Sequence, residues 1–591
     1  MRLLRSLFLI AVTLLALNVW AQRPSGVRPP VSSPPGYLPP AVSRPDQPTH
    51  SNHADDEGRV EFRSETILIQ VPVVVTDKAG HHVHNLKKED FEIFENGKEQ
   101  KLATLEEVNS TQTLLAPATK PGIFTNVVPD RDKPRSLTVI ALDTVNTPFL
   151  DQSYARQELI KYLAKNIDTQ QPLALVLITS KGLKVVHGLG SSPAALQEAL
   201  NKASGEMPVM QTVDSDVQLA AFTGDTSNLF GPNSVIQAQS AISNFITQGD
   251  IDYAQFRQEA AIETTMQAFL GIAWSLTGVP GRKTLLWTTA GFPFAMDSPS
   301  AIPGGRLSLL YERAMQALNE AEISVYPVDV RGLLNYSPEA SPANRVRAGA
   351  AALQQNSSRA WLVNTTQDTL KDFAEMTGGK AYYNTNDLVG AFQRASDDGA
   401  SYYMLAYYLD TKNDKAGWRQ LKVKTKQKDW ELRARKGFFV TNATMNPEVT
   451  RTNDINFAIG APFEATGMPF EMRWGPAKES PGTTKKQVQF SLHVLGSDIM
   501  IAGERNSIDL AIVAVATKPE APKDSEAKIA GNLSQDVKGN LAQDKVPVVR
   551  THGVTVSNVL SLDPGKYNVR FVVRDNLSGR LGSVSTPLTV N

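Results

Sequence analysis

The spacing of apolar residues changes twice along the chain, and each change predicts a different kind of domain. Over residues 60–108, Ile67, Ile69, Val71, Val73 and Val75 alternate with their neighbours, which predicts a half-buried strand. Asp77-Lys-Ala-Gly80 reads as a turn, and Phe91-Glu-Ile-Phe-Glu running into Asn96-Gly97 reads as a hairpin. Together they predict a small β-domain. Over residues 135–400 the alternation gives way to short unbroken apolar runs at 136–143, 173–178, 283–289 and 323–329. Runs of that length without alternation are what buried parallel strands look like. Helical patterns separate them: one capped by Asp151, with Ala155, Leu159, Tyr162 and Leu163 on its apolar face, then 193–202, 253–276, 307–321 and 369–377, the last ended by Gly378-Gly379. Residues 183–187 read as a hairpin partner of the second strand. This layout predicts a doubly wound, mostly parallel α/β sheet covered on both faces.

From Tyr402 the period returns to two. Residues 401–445 read as a β extension, and after a break near 446–453 the alternating sets Val488, Phe490, Leu492, Val494 and Ile508, Leu510, Ile512 follow. Short strands separated by turns over 446–591 predict an immunoglobulin-like sandwich. Residues 518–545, polar and poor in aromatics, read as a flexible insertion, and 109–134 as a polar linker. The expected architecture is multidomain α/β plus β.

The amino terminus narrows the setting. Arg2 and Arg5 precede an apolar stretch over 7–19 and the small-residue site near Ala21, the layout of a signal peptide over 1–21. Residues 22–59 are rich in Pro and Ser and read as a disordered spacer. The expectation is an exported protein, periplasmic, cell-surface or secreted, with no membrane span after signal cleavage. With 591 residues the chain exceeds one core, and 60 basic against 60 acidic residues give no charge to favour nucleic acid. The absence of cysteine excludes disulfides, thiolate metal sites and a cysteine nucleophile.

Candidate chemistry gathers where the first parallel strand stops. Asp143, Asn146 and Thr147 lie at the carboxyl edge of the predicted sheet, where open α/β folds place their ligands. Asp329 ends another strand, and His187 has no evident Ser or Asp partner. No Gly-x-Ser-x-Gly elbow, His-Glu-x-x-His helix, P-loop or dinucleotide fingerprint occurs, so no enzyme is expected. His81, His82 and His84 read as an exposed loop rather than a metal cluster.

The order of several blocks carries a resemblance. Val74-Val-Thr-Asp77, Asp90-Phe-Glu with Asn96-Gly-Lys98, Leu142-Asp143 with Asn146-Thr-Pro-Phe149, and Leu286-Trp-Thr-Thr-Ala-Gly-Phe-Pro293 appear in sequence. Tyr402-Tyr-Met-Leu-Ala-Tyr-Tyr408 and Arg433-Ala-Arg-Lys-Gly-Phe-Phe439 complete the set. Over residues 60–591 the chain resembles the exported VWFA-related proteins of acidobacteria, and its α/β part resembles a von Willebrand factor type A domain. The resemblance implies a metal-ion-dependent adhesion site, in which an Asp-x-Ser-x-Ser loop, a Thr and a later Asp hold Mg²⁺ or Mn²⁺. The cation would capture a partner's carboxylate. Asp143 and Thr147 match the first and fifth positions of that loop, but Val145 stands where the first Ser belongs. Thr289-Ala-Gly291 replaces the Thr-Asp-Gly that would supply the later carboxylate. Asn146 could lend an amide oxygen, and Thr212, Thr223 or Thr226 the second-loop hydroxyl. The alternative leaves Asp143 capping the next turn, with Asn146-Thr147-Pro148 shaping it.

The expected function is therefore non-catalytic binding of a protein partner, through the sheet edge and the long polar loop at 206–250. The alternatives are a structural or assembly factor of the cell envelope that docks through its β-domains and, failing that, a hydrolase.

Overall fold

A computed structural model of the chain describes residues 67–109, 121–129, 136–166, 172–191, 193–202, 259–291, 306–333, 366–409, 417–427, 429–440, 447–503, 505–519 and 529–591. The expected signal peptide and spacer, the 206–250 loop with its three threonines, and most of the 331–364 insertion lie outside the described residues. Among the described residues no helix is long and apolar enough to cross a membrane.

Four strands open the fold: β1 (Ile67–Thr76), β2 (Phe91–Glu95), β3 (Lys98–Gln100) and β4 (Leu102–Asn109). Asn96 and Gly97 both take positive φ in the turn between β2 and β3, the backbone that an Asn-Gly hairpin favours. A short β5 (Ile123–Thr125) follows inside the segment expected to be a linker.

The mixed α/β part comes next. Its strands are β6 (Leu137–Asp143), β7 (Leu173–Thr179), β8 (Gly182–Ser191), β9 (Lys283–Thr289) and β10 (Ile323–Asp329). They form one sheet in the order β10-β9-β6-β7-β8. The first four named in that order run parallel, and β8 pairs with β7 antiparallel, so the sheet is mixed. Helices α1 (Phe149–Lys165), α2 (Pro193–Lys202), α3 (259–276), α4 (Arg306–Glu320), α5 (366–377) and α6 (Leu388–Ala400) surround it. Successive residues of β6 point to opposite faces. Leu137, Val139 and Ala141 enter the core lined by α3, α4 and α5, whereas Ile140 and Leu142 enter the one lined by α1, α2 and α6. Asp151 does not cap α1. The helix starts two residues earlier, Pro148 holds the cap position without a side-chain bond, and its carbonyl accepts from Gln152 N at 2.9 Å. Gly378 ends α5 at φ +81°, and Gly379 N returns to the Ala374 carbonyl at 2.8 Å, a left-handed helix stop.

The chain then returns to its beginning. β11 (Ser401–Leu409) inserts between β1 and β4, β12 (Gly417–Thr425) pairs with β2, β13 (Glu431–Arg433) with β1, and β14 (Gly437–Val440) with β12. The expected N-terminal β-domain and the β extension are thus one module of two sheets, interrupted in sequence by the α/β part. Val71, Val73, Val75, Leu405 and Tyr407 from one sheet face Phe91, Ile93 and Leu421 from the other. Neither half of this core exists without the other, which is why the local pattern could not show the join.

Helix α7 (Pro447–Gly460) occupies the expected break. After it come β15 (Phe470–Glu479), β16 (Lys486–Val494), β17 (Ser507–Thr517), β18 (Ile529–Asn540), α8 (Val546–His552), β19 (Val554–Leu562), β20 (Gly565–Asp575) and β21 (Leu581–Val590). Two four-stranded sheets, β19-β16-β15-β5 and β18-β17-β20-β21, enclose one apolar core. β18 corrects the expectation of a flexible insertion: it pairs with β17 from Ser507–Asn540 to Thr517–Ile529. Its composition misled because it is an edge strand with most side chains in water. β5 corrects the linker, since it borders β15 and Asn126 beside it donates to the Ala465 and Met468 carbonyls at 2.6 and 3.0 Å.

Two polar clusters join these parts. Asp454 of α7 accepts from Arg313 of α4 and from Arg574 of β20, the latter at 3.1 and 2.9 Å. Gly278 approaches the sandwich so closely that a Cβ there would lie 2.3 Å from the Thr466 carbonyl oxygen. At the amino edge of the mixed sheet Arg282 is wholly buried. It donates to Ser324 Oγ, Tyr326 OH and the Asp398 and Gly378 carbonyls at 2.8–2.9 Å, while its backbone N–H reaches Tyr402 OH of β11 at 3.0 Å. Arg282→Met keeps the volume but strands those acceptors. It is expected to lower the stability of the full chain by about 3–5 kcal/mol, read from the urea midpoint. A midpoint shift within error of the wild type would show that the cluster is incidental.

Candidate functional site

The β6–α1 turn sits where β6 ends, between β9 and β7, and carries all three residues singled out for metal binding. Asp143 is 2% exposed, Asn146 4% and Thr147 2%. The structure does bring Asp143 and Asn146 together, and it adds partners from β9 and α3. Oδ1 of Asp143 accepts from the backbone N–H groups of Val145 and Asn146 at 3.1 and 3.0 Å. Oδ2 accepts from Asn146 Nδ2 at 2.7 Å, Trp287 Nε1 at 3.0 Å and Thr289 Oγ1 at 2.9 Å. Asn146 Nδ2 also reaches Thr265 Oγ1 of α3 at 2.9 Å, and Thr147 Oγ1 accepts from Ala290 N at 3.1 Å.

Burial pushes the Asp143 carboxyl above its ordinary value, and the bonds from Asn146, Thr289 and Trp287 pull it back only in part. The carboxylate sits in an apolar setting, since Trp287 packs edge-on against Phe269 at 5.1 Å and Phe373 at 5.5 Å. All five donors are neutral.

These residues do not fit a hard divalent cation as they are arranged. Mg²⁺ needs oxygen lone pairs at about 2.1 Å. Both Asp143 oxygens instead face hydrogens, and Thr147 Oγ1 has accepted one as well. The side-chain oxygen of Asn146 has no hydrogen-bond partner, but it is the single uncommitted oxygen of the three candidate side chains. Val145 and Ala290 supply only apolar side chains, both buried, where a type A site would use a hydroxyl and a carboxylate.

The other candidates do not converge here. Asp329, ending β10 on the far side of β9, is fully buried and bound by its own neighbour: Arg331 Nε and NH2 reach its two oxygens at 2.9 and 2.7 Å. His187 lies in β8 opposite Leu175, at the other edge of the sheet. Of the clustered histidines, His81 faces Asp77, His84 faces Glu107 at 2.7 Å, and His82 lies 4.0 Å from Asp398. They share no common ligand position. Trp287 and Thr265 were missed by the sequence reading. A Trp inside a fully buried strand was the available signal, because its N–H must find an acceptor.

No protein-family model matches the sequence, and no curated protein matches it.

Asp143→Asn should cost about 1–3 kcal/mol near neutral pH, because the new NH₂ faces donors whichever way the amide is turned. Since the Asp143 pKa is raised on folding, the folded state holds that proton more tightly than the unfolded chain does. Its ionisation therefore costs stability as pH rises through the raised value, and that stability returns as pH falls. Calorimetric titration with Mg²⁺ or Mn²⁺ should give no heat that disappears in the variant. Such a heat would restore the cation site.

Proposed function

We propose that this chain is an exported, non-catalytic binding protein that engages a protein partner at the carboxyl edge of its mixed sheet, by apolar contact. The reading includes a type A-like domain whose adhesion site is degenerate, with internal donors standing where a cation would. Four parallel strands covered by helices on both faces support the type A-like part, and the two packed antiparallel sheets support an immunoglobulin-like sandwich.

One observation carries the proposal. Phe149, Leu150 and Leu333 are 46, 80 and 58% exposed, and all three follow strands that end at the carboxyl edge. Asn386 ties their supports together: its Oδ1 accepts from Leu333 N at 3.0 Å and its carbonyl from Tyr154 OH of α1 at 3.3 Å. An exposed apolar group on a held backbone is what an interaction site requires. The edge carboxylates are each engaged internally, Asp143 by neutral donors and Asp329 by Arg331, which leaves contact rather than charge to supply the affinity. Catalysis has less support, because no nucleophile, base or free carboxylate pair meets at this edge among the described residues.

A second reading, an envelope assembly factor docking through its β-modules, draws on Leu68 and Tyr408. They face each other across β1 and β11 and are 43 and 57% exposed. A photo-crosslinking side chain placed at Leu150, at Tyr408 or at the control position Lys478 separates the two in cells that make the protein. An adduct from position 150 that Leu333→Asp abolishes is the expected result. An adduct from 408 alone would favour the assembly reading, and equal labelling at all three positions would sink both.

A further inference from the structure

Three buried polar atoms at the joint between the α/β part and the β-module have no hydrogen-bond partner among the described residues: Asn319 Nδ2, Glu322 Oε2 and Arg435 Nε. They belong to one small region. Asn319 lies in the last turn of α4, Glu322 just before β10, and Arg435 between β13 and β14. The Asn319 carbonyl accepts from Glu322 N at 3.2 Å and from Arg435 NH1 at 3.4 Å, so the three residues meet at that carbonyl. Asn319 and Arg435 are each 8% exposed. Arg435 NH2 goes on to the Gln70 carbonyl of β1 at 2.7 Å. A guanidinium at the carboxyl end of a helix is ordinary, and the two carbonyls account for NH1 and NH2. They leave Nε and the positive charge unanswered.

Glu322 is the carboxylate placed to answer it. It stands just past the end of α4 with φ +52°, a left-handed backbone that glycine adopts freely and glutamate does not. A residue held there at a cost in backbone energy points to a use for its side chain. Burial pushes Lys283 down to about 8 and Arg435 down to about 10, and Glu322 opposes that on both, joined on Arg435 by Tyr407 and Glu320. Lys283, 1% exposed, donates to the Val279 carbonyl at 2.5 Å, and its backbone N–H binds the Glu322 carbonyl at 2.9 Å. Glu320 accepts from Gln316 Nε2 at 2.7 Å. Glu322 Oε2 and Arg435 Nε are thus near each other and not bonded to each other. The polarity of the three atoms decides what fits between them. An anion would satisfy the two donors but face Oε2. A cation would satisfy Oε2 but face two N–H groups. One water accepts from both donors and donates to the carboxylate, making the roughly three bonds that buried waters make.

We infer that Asn319 Nδ2, Glu322 Oε2 and Arg435 Nε hold one buried water, which carries the ion pair between Glu322 and Arg435 across the joint. The charge on Arg435 is then answered through a water, as that on Arg282 is answered through the Tyr326 hydroxyl. A bridging water holds nearly as well as a direct hydrogen bond and spans a wider gap. The site lies at the amino edge of the sheet, and the inference stands whether or not the carboxyl edge binds a protein.

The test joins a crystal structure of the full chain, with and without a bromide soak, to urea unfolding of two variants and their combination. One water peak at about 2.7–3.2 Å from all three atoms, with no anomalous bromide signal there, is the expected density. An empty site would overturn the inference, and so would a bromide peak, which would make this an anion site. If the Glu322 side chain were idle, Glu322→Gly would relieve the backbone and leave the folding constant unchanged or higher. It should instead lower that constant about tenfold. Asn319→Leu removes one donor to the water and leaves the Glu322 side chain in place. In that background the loss from Glu322→Gly should shrink by about threefold or more. An equal loss in both backgrounds would show that the two side chains share nothing, and the bridge would be abandoned. Should a variant fail to fold, the density alone decides.

Discussion

The arrangement of this chain depends on one buried guanidinium. Arg282 has no carboxylate directly on it, and its charge is spread over two carbonyls and two hydroxyls. Those acceptors come from β10, the end of α5 and the last turn of α6, so the bonds fix how helices close over the amino edge of the sheet. The compensating charge is one bond further out. Tyr326 OH donates to Asp398 Oδ2 at 3.1 Å, and Arg433 NH2 reaches Oδ1 at 2.6 Å. Arg433 belongs to β13, and Tyr402, which receives the Arg282 backbone N–H, belongs to β11. A buried polar network is stable only when every member is present. The α/β part and the β-module therefore satisfy each other's polar groups, and neither could be cut away without exposing or orphaning them.

The carboxyl edge follows the opposite logic. There each strand-end carboxylate is satisfied locally, Asp143 by neutral donors and Asp329 by the adjacent Arg331. A charge held by neutral donors in an apolar setting keeps its shape but offers nothing outward. Because ligand charge sets the strength of a hard-metal site, a turn with one carboxylate already bonded to five donors, beside the apolar Val145 and Ala290, holds little that would draw a cation in. The five donors then have one use, which is to hold the β6–α1 turn. That turn leads directly into Phe149 and Leu150, so the rigidity of the inner carboxylate is passed to the exposed apolar pair.

The buried strands β6, β7, β9 and β10 were legible because a run covered on both faces needs no partner to be recognised. The join between β1 and β11 was not legible. Alternation shows that a strand has an inward face, but not which distant strand lies beside it. β18 failed for a related reason: Leu533 and Val537 are only partly buried, and the polar residues between them hid the period. At the site, the sequence indicated Asp143, Asn146 and Thr147 as neighbours on one turn. It could not show that Trp287 and Thr289, on another strand, would turn their hydrogens toward the same carboxylate, since that follows from the parallel register of β6 with β9.

That register and the return of the chain constrain what the molecule can do mechanically. Ser401 and Asn109, 292 positions apart, are register partners, and their side chains meet at 2.9 Å. Closing a loop of that length costs on the order of 5 kcal/mol of chain entropy, so the β4–β11 pairing needs the Arg282 network and the shared apolar core to hold it. On the other side, Asp454 joins α4, α7 and β20 through two arginines, and Thr466 Oγ1 both accepts from Gly278 N and donates to the Ser275 carbonyl, each at 2.9 Å. The α/β part is thus fastened at two separated places, to the β-module and to the sandwich. A hinge at either join would have to break buried charged bonds, which cost several kcal/mol each when one partner is lost. Any surface that these fastened parts present is accordingly preformed, since exposing a different one would require breaking those buried bonds.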